Sequence, residues 1–171
     1  MSDSKETNSP KMFSWNSFGK SDVGKSRKLN EDSMLLRPDA GMWVVADGMG
    51  GHEAGDVASK MVVDSLGQVT EGVSLEKYIE DIEKTLISVN EKLIEIAKQG
   101  EKQTTVGSTV VVMLAYDKFC AFLWAGDSRL YRIRNKKLTQ LTIDHSQVQV
   151  YVDQGLISKE EAENHPHSNM I

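Results

Sequence analysis

Between Thr105 and Leu141 lie four short runs rich in β-branched and aromatic residues: Thr105–Tyr116, Phe119–Ala125, Leu130–Ile133 and Lys137–Leu141. Only a few residues separate them, such as Asp117-Lys118, Gly126-Asp127-Ser128 and Arg134-Asn135-Lys136. Gaps that short close antiparallel hairpins and have no room for a parallel crossover. Helices that cover this sheet must therefore come from elsewhere in the chain. Two helical patterns precede it. The first spans Ala54 to Leu66, with Val57, Ala58, Met61, Val62 and Leu66 on one face. The second runs from Ser74 to Gln99, with Leu75, Tyr78, Ile79, Ile82, Leu86, Val89, Leu93 and Ile96 at the 3.6-residue period and Ser74 as N-cap. Its single apolar face predicts a helix that covers a sheet from outside.

Upstream, Ser33–Arg37 and Gly41–Ala46 read as strands joined by turn chemistry at Pro38-Asp39-Ala40-Gly41. Met12–Gly19 reads as a further strand, and residues 1–11 as a flexible polar tail. Downstream, 144–171 predicts two short helices, about His145–Gln154 and Ser158–Glu163, followed by a loop. Strands, then helices, then strands imply an α+β class built on antiparallel sheet.

The 171 residues suit one domain with a real core, and 39% hydrophobic with 26% charged residues is an ordinary globular balance. A net charge of -5 argues against a nucleic-acid partner. No apolar run approaches the roughly 20 residues of a membrane span, and the polar start lacks a signal-peptide core. The expected location is the cytoplasm, with no membrane partner. Cys120 is the one cysteine, between Phe119 and Ala121, and reads as a buried inert thiol.

Three segments carry groups that could do chemistry. In Met42–Ser59 an apolar run delivers Asp47 at its end, followed by Gly48, Gly50 and Gly51 and then a helical pattern. A carboxylate beside backbone freed by glycine can hold a hard cation. The loop Arg27-Lys28-Leu29-Asn30-Glu31-Asp32 places a guanidinium, whose fork matches a phosphate, beside two carboxylates suited to Mg²⁺ or Mn²⁺. Ala125-Gly126-Asp127-Ser128-Arg129 again sets an acid and a glycine at a strand end. Each has a plainer reading alone: a charged surface loop, an Asp-Gly turn, a tight turn between strands. Together they are more persuasive than any one of them.

Other chemistries fit less well. The four histidines lack zinc-site spacing and read as solvated loop residues. No Gly-x-Ser-x-Gly elbow occurs, and Cys120 has no basic partner for thiol catalysis. Gly48-Met49-Gly50-Gly51-His52-Glu53 follows a strand and opens a helix, as a dinucleotide fingerprint does. Its sixth position is an acid that would repel a pyrophosphate, and the hairpins downstream build no parallel sheet.

With these motifs in view, the chain resembles the metal-dependent Ser/Thr protein phosphatases (the PPM, or type 2C, family) in the bacterial style. The matching residues are Arg27-x-x-Asn30-Glu31-Asp32, Ala46-Asp47-Gly48-Met49-Gly50-Gly51-His52 with Gly55 and Ala58-Ser59, Gly107-Ser108-Thr109, and Ala125-Gly126-Asp127-Ser128-Arg129. Asp144-His145-Ser146 through Gly155-Leu156-Ile157-Ser158, Glu160-Glu161-Ala162 and His165-Pro166 resembles the family's flap. The resemblance implies two antiparallel sheets sandwiched between helices in an α-β-β-α arrangement. It implies two Mg²⁺ or Mn²⁺ ions, with a site for a third, and hydrolysis of phosphoserine or phosphothreonine by a water activated between the metals. By the same mapping Asp47 bridges both metals, the Gly48 carbonyl ligates one, and Glu31 and Asp32 hold metal-bound waters. Arg27 binds the substrate phosphate, and Asp127 and Ser168 serve the third metal. The implied partners are phosphorylated proteins, among them a Ser/Thr kinase and its substrates.

Two departures stand out. Met49 occupies a position where many eukaryotic members carry a histidine thought to protonate the leaving group, and methionine cannot do that. The chain ends at Asn169-Met170-Ile171, where family members continue and supply Ser-Asp-Gly and Asp-Asn motifs with further metal-ligating aspartates. On this reading 12–171 is the N-terminal portion of a phosphatase domain, with weak metal affinity and little turnover alone and with apolar surface left open. The alternative is a shortened, inactive phosphatase-like module that binds phosphoproteins or a partner kinase. A third and weaker reading is a simple divalent-cation-binding domain.

Overall fold

The computed structural model describes residues 13–25, 27–50, 54–99, 105–163 and 165. In chain order the elements are β1 (Asp32–Arg37), β2 (Met42–Gly50), α1 (Ala54–Gly67), α2 (Leu75–Gln99), β3 (Val106–Ser108), β4 (Val110–Tyr116), β5 (Phe119–Ala125), β6 (Tyr131–Arg134), β7 (Lys137–Gln140), α3 (Gln147–Asp153) and α4 (Lys159–Glu163). The expected tail at 1–11 lies outside the described residues, and 13–20 forms no strand.

The main sheet has the order β1-β2-β4-β5, with β3 also paired to β2, and every pairing is antiparallel. The run predicted as one strand from Thr105 to Tyr116 is divided at Thr109 into β3 and β4. Both pieces face β2 in the same register, Gly48 opposite Ser108 and Val45 opposite Val111. A second, two-stranded sheet pairs β6 with β7 through a turn at Asn135-Lys136. Both turn residues have positive φ, 51° and 62°, the geometry whose twist suits a two-residue hairpin loop. Two antiparallel sheets with helices agree with the expected class, although the second sheet is small and its strands are mostly exposed.

Alternation along the strands decides which side chains enter the core. On β2 these are Met42, Val44 and Ala46, and on β4 they are Val110, Val112 and Leu114. They meet Ala58, Val62 and Leu66 of α1 and Tyr78, Ile82, Val89 and Leu93 of α2. Every α2 position in the predicted apolar set belongs to this core or packs against it. On α1, Val57 is exposed and the buried stripe instead takes in Gly55, Ser59 and Val63. Ser59 can enter because its hydroxyl lies 3.0 Å from that of Ser33 and donates to the Asp56 carbonyl. Arg37 caps the end of α1 from β1, donating to the carbonyls of Gly67 and Val69 at 3.0 and 2.7 Å. Ser74 caps α2 as expected, its hydroxyl accepting from the Lys77 amide.

The other face of the sheet carries Met34, Leu36, Trp43 and Val45. The segment 13–19 lies along it, with Trp15 edge-on to Trp43 at 5.2 Å and Gly19 against Met34 and Leu36. Val45 stays 51% exposed, so this face is only partly covered. Cys120 is exposed, contrary to the buried thiol expected. It sits near the start of β5, which among the described residues has a sheet neighbour on one side only, and on the face turned away from the helices.

Tyr78 is the largest fully buried side chain, and its hydroxyl donates to the Ala40 carbonyl at 3.2 Å, tying α2 to the β1–β2 turn. Burial pushes its pKa up to about 12 from 10.0. The folded state therefore resists ionisation that the unfolded chain allows, and stability present below pH 10 is lost as pH rises toward 12. Tyr78→Phe should remove that alkaline loss and cost about 1 kcal/mol at neutral pH. Tyr78→Ala should cost about 3–5 kcal/mol. Urea unfolding of both variants at pH 7 and pH 11 measures these effects.

Candidate active site

Asp47 lies within β2 and not at its end, because the strand continues to Gly50 through its pairing with β3. Continuation at that point depends on glycine. A Cβ on Gly48 would collide with the Gly55 carbonyl, and a Cβ on Gly55 would collide with the Glu31 carboxylate. With neither present, the first turn of α1 settles on β2 beside the acid and Glu31 lies across it. The Gly48 amide donates to the Glu31 carbonyl at 3.0 Å, carrying the β1–β2 pairing one residue beyond β1.

The β1–β2 register places Asp32 directly opposite Asp47 on the open face of the sheet. Opposed side chains in such a pair have Cβ atoms about 4.5–5.5 Å apart, and like charges there are destabilising. The Asp47 carboxyl titrates above the ordinary carboxylate range. Burial is the largest cause, followed by the charge and hydrogen bonding of Asp32 and then the charge of Asp127; Arg27 opposes the shift. The three segments singled out in the sequence therefore meet electrostatically at Asp47.

Arg27 and Glu31 pair with each other, Nη1 to Oε2 at 2.6 Å, with the Arg27 side chain 73% exposed and that of Glu31 11%. Arg27 thus has an open side facing solvent, whereas Glu31 is held by Arg27 and by the close approach of Gly55. Asn30 orders this loop, accepting from the Asp32 amide at 3.2 Å and donating to the Ser21 hydroxyl at 2.6 Å.

Asp127 sits on the turn after β5, which is clamped from outside. Arg129 grips Asp144 through Nε and Nη2, and Gln140 adds a further donor to the same carboxylate. His145 donates its amide to the Gly126 carbonyl at 2.9 Å, receives the Gly126 amide on Nδ1 at 3.4 Å and lies against the Trp124 ring. The sequence marks His145 as a solvated loop residue. It is exposed but engaged, because the short link after β7 brings it back onto the β5 turn. Beyond it, α3 starts at an N-cap, Ser146. Ser158 and Glu161 then form a reciprocal capping box that opens α4.

The donor set is made of hard carboxylate oxygens, which suit Mg²⁺ or Mn²⁺. It is a pair with a third acid nearby, not a closed cage: among the described residues no three His, Cys, Asp or Glu side chains converge as a metal-binding group. Asp32 and Asp47 together fit one face of a cation, and the mutual repulsion of the acids is what a cation would relieve. Ser168, Gly51 and His52 lie outside the described residues. In the sequence Thr109 figures only in the matching triplet Gly107-Ser108-Thr109. It bonds the Asp47 backbone, for which the only signal in the sequence is the hydroxyl pair Ser108-Thr109 ahead of a β-branched run.

Because the raised pKa makes the charged form of Asp47 unfavourable, the metal-free fold gains stability as pH falls through that pKa. Asp47→Asn should therefore raise the melting temperature of metal-free protein at pH 7, and the gain should shrink toward pH 4. Added Mn²⁺ should stabilise the unsubstituted chain and not the variant. Calorimetry with and without Mn²⁺ across that range checks both signs.

Comparison with known proteins agrees with this arrangement. The family model "Protein phosphatase 2C" matches residues 21–168. The serine/threonine phosphatase stp of Listeria monocytogenes is 36% identical over 159 residues, which cover 89% of this chain and 63% of that protein. PppA of Pseudomonas aeruginosa, described as a key regulatory component of T6SS, superposes with a TM-score of 0.80 at 41% identity, over 89% of this chain and 62% of that one. The catalytic domain of the serine/threonine protein phosphatase PstP, solved in complex with two manganese ions, gives a TM-score of 0.72 at 34% identity, over 84% and 61% of the two chains. The chain thus spans about 63% of the length of the curated relatives it matches. By its family match and by its likeness to these phosphatases, the chain belongs to the protein phosphatase 2C family.

Proposed function

We propose that the chain carries the N-terminal part of the active site of a Mg²⁺- or Mn²⁺-dependent protein phosphatase acting on phosphoserine and phosphothreonine. The observation that carries this reading is the meeting at Asp47, where Asp32 stands opposite in the sheet and Asp32 and Arg27 from one segment and Asp127 from another act on one carboxyl. Family membership supports it, as does a relative solved with two manganese ions.

Asp47 would hold the metals from β2 with Asp32 beside it, and the Gly48 carbonyl would add a backbone ligand. Asp127 would reach a further ion from the β5 turn, with Ser168 as its partner. Bound Mn²⁺ or Mg²⁺ would supply positive charge and make a water acidic enough to act near neutral pH. Arg27, on the solvent side of its pair with Glu31, would exchange that carboxylate for a substrate phosphate. Its fork would then neutralise phosphoryl oxygens as charge develops on them. Glu31 stays behind to orient water above Gly55. Met49 is 42% exposed beside this site and carries no transferable proton, so the leaving group must take its proton from water or another acid. The substrates would be phosphorylated proteins, including the products of a Ser/Thr kinase. Among the described residues no helix is long and apolar enough to cross a membrane.

The test uses a phosphothreonine peptide with Mn²⁺ and a chain spanning the full length of its relatives. Asp47→Asn should reduce phosphate release to background, and release equal to the unsubstituted enzyme would overturn the reading. Arg27→Ala should raise KM and lower kcat, with roughly a tenfold or greater loss in kcat/KM from the missing charge-assisted bonds. Arg27→Lys should recover only part of the loss, because an ammonium lacks the planar fork.

A further inference from the structure

The break between β3 and β4 falls at Thr109, directly across from Asp47. In a regular antiparallel ladder, opposed residues at such a position exchange both backbone bonds. Here one bond is normal: the Thr109 amide donates to the Asp47 carbonyl at 2.8 Å. The other is not. The Asp47 amide donates to the Thr109 hydroxyl Oγ1 at 3.0 Å, so a side chain stands where a carbonyl would be expected. The Thr109 carbonyl instead lies 2.8 Å from the Ser108 hydroxyl, whose single proton it shares with the Asp47 carbonyl at 3.1 Å.

The same Oγ1 lies 2.7 Å from the hydroxyl of Ser128, the residue after Asp127. The Thr109 methyl is used too. Gly126, at φ +103°, brings its backbone so near that a Cβ there would lie 2.7 Å from Thr109 Cγ2. Thr109 is 4% exposed, so its hydroxyl has little access to water and depends on these partners. One side chain therefore touches the backbone of Asp47 and both neighbours of Asp127, although β2 and the β5 turn are not adjacent in the sheet.

We propose that Thr109 is a positioning residue that holds Asp47 and the Asp127 turn in one frame, so that the two acids approach a cation at a set separation. This rests on the metal-site reading above. Valine would keep the methyl contact but leave the Asp47 amide unbonded. Serine would keep the hydroxyl and lose the methyl. Ser128→Ala would cut the link to the turn and leave the Asp47 amide its acceptor.

The experiment uses the 171-residue chain, with Mn²⁺ alone as the probe followed by electron paramagnetic resonance, and amide exchange of the metal-free protein by NMR. Thr109→Val should speed exchange at Asp47 and at His145, whose amide bonds the Gly126 carbonyl of the turn, leave Val44 and Leu114 protected, and weaken Mn²⁺ binding by about tenfold or more. Thr109→Ser should keep Mn²⁺ affinity within about threefold, since the bonded oxygen survives. Ser128→Ala should weaken Mn²⁺ binding and loosen the turn with Asp47 exchange unchanged. Wild-type Mn²⁺ affinity in Thr109→Val, or equal losses in Thr109→Ser and Thr109→Val, would overturn the proposal. Should Thr109→Val fail to fold, Ser128→Ala decides: unchanged Mn²⁺ affinity and unchanged turn exchange would refute the coupling. Should the unsubstituted chain bind no Mn²⁺, exchange in Thr109→Val decides the coupling. Acceleration at Asp47 alone, without the turn, counts against it.

Discussion

Register between β1 and β2 is the constraint on which the rest depends. Side chains alternate along a strand, so the pairing that sends Met42, Val44 and Ala46 into the core also sends Asp47 to the opposite face, across from Asp32. A slip of one residue would bury the acids among aliphatic side chains and push the core residues out. The apolar half of β2 thus enforces the placement of its polar residue. Arg37 capping α1, Tyr78 reaching the Ala40 carbonyl and Ser33 meeting Ser59 all pin the same hairpin to the helices.

The site built on that register opposes the preferences of the fold. Two acids face each other and a third adds its field, with only Arg27 in opposition, so the metal-free site holds charge in an unfavourable place. Strain of this kind is characteristic of functional positions, where the surrounding structure over-determines the geometry. Here that surrounding structure is α1 resting on Gly48, the β3–β4 strand bonded through Thr109, and the Arg129–Asp144 clamp behind Asp127. The clamp also anchors the start of the 144–163 segment, so that segment is rooted at the same turn that carries Asp127.

Much of this was legible without coordinates, for identifiable reasons. The long helix declared itself because eight apolar residues recur at its period, and all eight reach the core. The hairpins were legible because their gaps are too short for anything else. Misreadings occurred where local pattern is weak. Aromatics at 13–18 suggested a strand, but that segment lies against the open face through Trp15 and Trp43 without pairing. Cys120 sits in an apolar run that belongs to a strand at the sheet margin, so hydrophobic company did not mean burial. Val57 fits a helical stripe by count, yet α1 is rotated so that Gly55 and Ser59 face inward instead.

By itself the sequence determined the class of fold and the family, and singled out the acids and the arginine that the fold brings together, because periodicity, gap length and motif order are local properties. Tertiary structure alone decided that Asp32 stands opposite Asp47, that Arg27 rests on Glu31, and that one threonine hydroxyl replaces a carbonyl between two strands. Those are properties of register and of close approach between segments tens of residues apart. No window along the chain contains them, because they exist only after the apolar faces have been buried and the polar groups left behind have had to find partners.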